Sequence, residues 1–337
     1  MKSIKHGRQS FVPENPPFIC AWASTVGKKE SQGPLHNHFD VHQSETYFGE
    51  KTWEQAENKM QQITLESLMT KANIGAEDVD IVFSGDLLNQ CIGSSFTLNN
   101  SGLPHLGIYG ACSTMAEGLL LSTLALESGY AGKAIAMTSS HFAASERQYR
   151  FPLGYGGQRP PTSQWTVTGA GAALICREGK GPRITACTIG AITDWGITDA
   201  NNMGAAMAPA AFATIQAHME DLGVAPSDYD LIVTGDLGHH GESVLLTLAQ
   251  QRDISLENKL VDCGSLIFDS NTQDVHAGGS GCGCSAVTLC GYLLEKLNHN
   301  ELKNILFCGT GALLSPTSTQ QGKTIPGVCH AVSITGG

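Results

Sequence analysis

The chain has 337 residues, room for one large domain or two intimately packed ones. A hydrophobic fraction of 41% supports a sizeable core and excludes a disordered chain. The net charge of -11 argues against a nucleic-acid partner, which needs clustered Lys and Arg, but says little about a small anionic ligand that responds to local charge.

The opening "MKSIKHGRQSF" carries two lysines but no apolar core of signal-peptide length. No run reaches the ~18 apolar residues of a membrane span. The best candidate, Gly118 to Leu126, stops at Glu127. The expectation is a soluble protein that stays where it is made, with its eleven cysteines reduced. Cys20, Cys176, Cys187 and Cys290 lie in apolar contexts and read as small core residues. The segment "LHNHFDVHQSE" holds His36, His38, Asp40, His42 and Glu45, but no tetrahedral spacing, so it reads as a polar loop and no metal is expected there.

A helix is predicted from Trp53, Ala56, Met60 and Ile63 through Ala72, with Gly75 at the C-cap. "AEDVDIVFSGDL", Ala76 to Leu87, then reads as a strand buried on both faces. In "YGACSTMAEGL", Cys112 stands between small residues at the start of an apolar helix. Two readings are open. Cys112 is a buried structural cysteine, or it sits at a helix N-terminus whose N–H groups and dipole stabilise a thiolate and hold an anionic oxygen. The strand "KAIAMTSS" begins at Lys133, and Arg147, Arg150 and Arg159 follow in a long loop.

The second half repeats the pattern. Phe212, Ile215, Met219 and Leu222 mark a helix stopped by Gly223. "PSDYDLIVTGDL", Pro226 to Leu237, repeats the earlier strand, with Asp78, Asp80, Gly85, Asp86 and Leu87 recurring as Asp228, Asp230, Gly235, Asp236 and Leu237. The pair His239-His240 reads as surface or pocket rim. "DVHAGGSGCG" places His276 before a glycine-rich turn, where Cys282 and Cys284 fit a tight turn better than a chelate. A helix is predicted from Thr288 to Leu297, then a strand from Lys303 that carries Cys308 in "LFCGTGALL". Alternating strands and helices in two similar halves predict a mostly parallel sheet and a pseudo-twofold. Cys112, His276 and Cys308 all fall at strand ends, where ligands collect in such sheets.

These motifs resemble the thiolase superfamily over the whole chain. Cys112 matches its nucleophilic cysteine, His276 in "HAGGSG" the histidine of "GHPxGxSG", and Cys308 in "CGTG" the cysteine of "CxGGG". "TVTGAGAALI", Thr166 to Ile175, is similar to the "GDGAGA" strand entry of ketoacyl synthases. The resemblance implies an α/β fold of duplicated βαβαβαββ halves, here residues 1–178 and 179–337, in a five-layered αβαβα arrangement. It also implies a homodimer joined through edge strands. Within the superfamily, "ERQYRFPLGYGGQRPPTSQWTVTGAGAALI" and "GIYGACSTMAEGL" resemble the stage V sporulation protein AD family. That implies binding of dipicolinic acid (pyridine-2,6-dicarboxylate), free or as its calcium chelate, and support of its uptake into the developing spore. Location peripheral to the spore inner membrane, beside membrane proteins of the same stage V sporulation A operon, is implied as well. No turnover and no cofactor are implied. Calcium would arrive only with the ligand, since no EF-hand spacing is present.

Two departures from a working condensing enzyme support that reading. Where ketoacyl synthase III carries "HQAN" this chain reads "TGDLGHHG", with Gly235 or Asp236 in the place of the histidine. His276 is followed by Ala277 and Gly278 instead of Pro and an apolar residue. The alternative is an acyltransferase of thiolase or ketoacyl-synthase type, with Cys112 as nucleophile and coenzyme A thioesters as substrates. A third reading is an assembly protein with a vestigial pocket. For a flat, doubly anionic ligand, the turn Cys112-Ser113-Thr114 is expected to supply N–H and hydroxyl donors to one carboxylate. Arg150, flanked by Tyr149 and Phe151, is expected to hold the other, unless the loop arginines pair with neighbouring acids. Ligand contacts are thus expected at Cys112, Ser113, Thr114, His276, Cys308 and Arg150.

Overall fold

The computed structural model describes residues 4–149 and 158–337. The first half contains β1 (Phe18–Val26), α1 (Trp53–Ala72), β2 (Ile81–Asp86), β3 (His105–Gly107), α2 (Thr114–Glu127), β4 (Lys133–Ser140), α3 (Phe142–Tyr149) and β5 (Gly169–Cys176). The second contains β6 (Arg183–Thr188), α4 (Met203–Leu222), β7 (Leu231–Thr234), α5 (Gly238–Gln250), β8 (Leu260–Asp262), α6 (Cys282–Thr288), α7 (Leu294–Asn298), β9 (Asn304–Ala312) and β10 (Gly327–Thr335).

Strand order makes the duplication visible. The first half runs β3-β2-β4-β5-β1 and the second β8-β7-β9-β10-β6, joined where Arg183 of β6 bridges Phe18 of β1. In each half the three strands at the outer edge are parallel, and the two nearer the junction are antiparallel. α1 covers the outer face of the first set, and α4 with α5 the outer face of the second. α2 and α6 lie between the two sets: α2 touches β2 and β4 of its own half and β9 and β10 of the other. The layers are therefore αβαβα, and the largest core fills the central one, with Met115, Leu119, Phe307 and Val332 fully buried.

The recurring aspartates have a structural explanation. Asp80 accepts from Gly132 N (2.7 Å) and Lys133 N (3.0 Å); Asp230 accepts from Lys303 N (2.6 Å) and Asn304 N (3.2 Å). Each ties the start of a central strand to the start of its neighbour. Asp78 and Asp228 each close a one-turn cap by accepting from Gly75 N and Ala225 N. The third pair has diverged. Asp86 binds the backbone of its own loop, whereas Asp236 enters the site described below.

Two boundaries differ from the sequence reading. α1 ends at Asn73, whose left-handed backbone (φ 52) lets its N–H reach Met69 O and Thr70 O, so Gly75 lies beyond the cap. The helix expected from Thr288 starts six residues earlier, at Cys282, and runs through a π-turn at Leu289–Leu293 into α7. The glycines around Cys282 hid that start, since glycine disfavours helix in an isolated segment. α4 ends at Gly223 (φ 67), as expected.

Candidate functional site

The site forms where the start of α2 meets the carboxyl ends of β7 and β9. The backbone before α2 turns sharply: Ala111 is left-handed (φ 50), an unfavourable conformation for a residue with a Cβ. β9 makes room for this turn. A Cβ on Gly311 would lie 2.4 Å from Gly110 O, and one on Gly309 2.6 Å from Ala116 Cβ. Both positions must stay bare for Cys112 to reach the cleft.

Cys112 lines a narrow cleft with Leu87, Tyr109, Glu146, Tyr149 and Leu314, among others. The tyrosines form a chain. Tyr149 OH donates to Leu87 O (2.8 Å), which leaves Tyr109 OH to donate to Tyr149 OH (3.0 Å). Tyr109 is 45% exposed and stands at the mouth. Glu146 is buried and its Oε1 accepts from Thr166 Oγ1 (2.9 Å).

Behind Cys112 stands Asp236, fully buried at the end of β7. Its Oδ1 accepts from Thr310 Oγ1 (2.8 Å), and its Oδ2 from Gly281 N (2.9 Å) and Ser280 Oγ (3.2 Å). The Cys112 thiol faces this carboxylate. Burial raises the Asp236 carboxyl to about 6. Burial first, and the Asp236 charge second, push the Cys112 thiol well above the ordinary range. Of the two readings left open for Cys112, the stabilised thiolate is therefore not favoured: a neighbouring carboxylate and the loss of water outweigh a helix dipole in this place. Of Gly235 and Asp236, the two residues that the resemblance set at a histidine's place, it is Asp236 that faces Cys112. Cys282, which donates to Ser139 O (2.8 Å), packs against Cys112 and Leu87 at the cleft floor.

The other expected ligand residues fall elsewhere. Ser113 Oγ donates to Gly110 O (2.7 Å) and Thr114 Oγ1 to Ala111 O (2.6 Å), so both hydroxyls brace the turn instead of facing a ligand. Cys308 is buried on the outer face of β9 against Cys329, level with Thr234 of β7, whereas Thr310, two residues further along the strand, reaches Asp236 over the bond given above. His276 is an exposed residue outside the cleft lining, with Nδ1 3.0 Å from Pro160 O and Nε2 3.1 Å from Asp274 Oδ1. Its position (φ 52) is set by the turn into the two-residue strand Gly279–Ser280. Arg150 lies outside the described residues. Arg147 pairs with Glu54 and covers Trp53, while Arg159 pairs with Asp274 (2.8 Å) beside Trp165. His239 and His240 are exposed at the start of α5, and His36, His38 and His42 are exposed as well. Sequence reasoning missed Tyr109, Tyr149, Glu146 and the placing of Asp236 behind Cys112. The recurrence of Asp86 as Asp236 was the available signal.

The whole length of this arrangement is matched by one family model, stage V sporulation protein AD, over residues 7–335. The chain is also 40% identical over 326 residues to stage V sporulation protein AD of Bacillus subtilis (strain 168), covering 97% of this chain and 96% of that protein. The chain belongs to the stage V sporulation protein AD family. Its role accordingly lies in sporulation.

Solved structures place the family's fold among the thiolases and ketoacyl synthases. The 3-oxoacyl-[acyl-carrier-protein] synthase III of Aquifex aeolicus superposes with a TM-score of 0.56 at 14% identity, covering 95% of this chain and 99% of that one. Human mitochondrial 3-ketoacyl-CoA thiolase in complex with CoA gives 0.59 at 13%, covering 96% and 98%. Cerulenin-bound OleA of Xanthomonas campestris gives 0.59 at 15%, covering 96% and 97%. At such identities the likeness is one of fold. It confirms the thiolase-like architecture expected from the motifs. Among the described residues, no helix is long and apolar enough to cross a membrane.

Proposed function

We propose that this chain binds dipicolinic acid, as the calcium chelate in preference to the free dianion, in the Tyr109–Cys112–Tyr149 cleft without turning it over. In this reading it supports uptake of that compound into the developing spore. The observation that carries the proposal is the buried Asp236 carboxyl facing the Cys112 thiol. A condensing enzyme needs its cysteine as thiolate and a donor for the oxyanion that follows. Here the sulfur keeps its proton, and the group behind it is an acid. Leu87, Leu314 and the two tyrosine rings suit a flat aromatic ligand. Asp236, behind Cys112, opposes a bare dianion but not its calcium chelate, whose net charge is zero. Arg150 is the proposed partner of a ligand carboxylate.

Calorimetric titration with dipicolinate, with and without calcium, beside the 2,4- and 3,5-isomers tests this. Binding confined to the 2,6-isomer and strengthened by calcium is expected; no heat with either form overturns the proposal. Incubation with acyl-coenzyme A, read by intact mass, tests turnover. An acyl adduct on Cys112 favours the acyltransferase instead.

We further propose a homodimer formed by pairing of β3. This strand ends its sheet, leaves one edge unpaired and exposes Leu106 (55%). In the spore, the proposed location is peripheral to the inner membrane, held by membrane proteins of the same operon.

A further inference from the structure

At the other end of β5 from the cleft, two cysteines meet. β1 and β5 are antiparallel, with Phe18 opposite Cys176 and Ile19 opposite Ile175. The next pair is Ala21 with Leu174, so Cys20 is the extra residue of a bulge. In an unbroken ladder, Cys20 and Ala21 would face opposite sides. The bulge instead brings Cys20 against the outer cluster that holds Ala21, Ala23 and Cys176. The two thiols share this cluster, and neither is in a disulfide.

The pair is asymmetric. Cys176 is buried, whereas Cys20 is the one cysteine of eleven that is not. The turn after β5 closes over its sulfur: a Cβ on Gly179 would lie 2.2 Å from Cys20 Sγ. Lys133 of β4 stands opposite Cys176 in the register and brings positive charge to the pair. The sequence reading of both residues as inert core thiols therefore fails for Cys20, because the bulge is a property of strand pairing and not of local composition.

We propose that Cys20 and Cys176 form a redox-active dithiol, with Cys20 the attacking thiol and Cys176 the resolving one, whose co-reactant is a low-molecular-weight disulfide. Cys20 sulfur, as thiolate, attacks one sulfur of the co-reactant; a mixed disulfide forms and one thiolate leaves. Cys176 then loses its proton to that thiolate or to solvent and attacks Cys20 Sγ, expelling the second thiolate. Two protein thiols become one disulfide, and one disulfide becomes two small thiols. Two electrons pass to the co-reactant. The mutual influence of the two thiols suits these roles: it lowers Cys20 to about 7 and raises Cys176, so near neutral pH the less buried sulfur is the reactive one.

Glutathione disulfide is the probe, with the full chain, read by intact mass and peptide mapping. The wild type is expected to lose two hydrogens in mass and to yield one cross-linked pair of peptides containing Cys20 and Cys176. Its rate should rise as pH passes about 7. Cys176→Ser should stop at one glutathione on Cys20, and Cys20→Ser should give neither product. Circular dichroism checks that each variant folds, and Cys176→Ala serves if the serine does not. A wild type that carries a stable glutathione adduct with no bridge overturns the resolving role. So does a first adduct on any other cysteine, or no reaction at all, for the attacking role.

Discussion

Replacing Asp236 by Asn tests the electrostatics of the site. Burial raises this carboxyl from 3.8 to about 6, and at ~1.36 kcal/mol per pK unit the shift corresponds to about 3 kcal/mol. The sign follows from linkage: a raised carboxyl contributes stability that is fully present below 3.8 and lost as pH climbs through 6. Asn carries no charge, but the nitrogen that replaces one oxygen cannot accept from Thr310 Oγ1 or from Gly281 N, a loss of about 1–3 kcal/mol that does not depend on pH. The variant should therefore be less stable than wild type at about pH 4 and should recover by about 3 kcal/mol relative to wild type by about pH 8. Urea unfolding of both proteins at the two pH values reads this difference directly. Alkylation of Cys112, followed at the peptide level, should also quicken about threefold for each pK unit the thiol falls once the carboxylate charge is gone. A stability difference that does not change with pH, together with unchanged alkylation of a folded variant, refutes the reasoning.

Three further outcomes are expected. Cys112→Leu should fill the cleft and abolish dipicolinate binding with a normal circular dichroism spectrum, whereas the nearly isosteric Cys112→Ser should keep measurable binding in the same titration. Gly311→Ala should destabilise the protein by at least about 1–3 kcal/mol in thermal or urea unfolding, because its methyl would meet the rigid Gly110 carbonyl. His218 is buried and held near 4 against 6.5, bonded to Thr188 Oγ1 and Tyr229 OH (2.7 Å each), so its contribution of about 3 kcal/mol should be present above pH 6.5 and lost as pH falls through 4. His218→Gln should flatten that acid limb of the stability curve, and an unchanged limb counts against the assignment.

Much of the architecture was legible in the chain itself. The apolar runs at Ile81–Asp86 and Leu231–Thr234, the helix stop at Gly223 and the repeated aspartates are local signals, each set by the chemistry of a few neighbouring residues. They were enough to recognise two similar halves, and the motifs around Cys112 were enough to identify the superfamily. What faces Cys112 was not legible. Asp236 comes from the other half of the chain, Tyr149 from the end of α3, and Thr310 from β9. Only the stacking of the two halves brings them to one sulfur. The same holds for the corrections. Cys308 and Thr310 are two residues apart on one face of β9, and the pairing with β7, which sets Cys308 beside Thr234, left only Thr310 within reach of Asp236; the bulge at Cys20 put a core-like cysteine beside another thiol. Sequence determines which local structures are cheap to form, because those energies act between near neighbours. Side-chain partners at a site are decided by tertiary packing, because there the determining contacts join residues far apart in the chain and exclude the water that would otherwise compete for them.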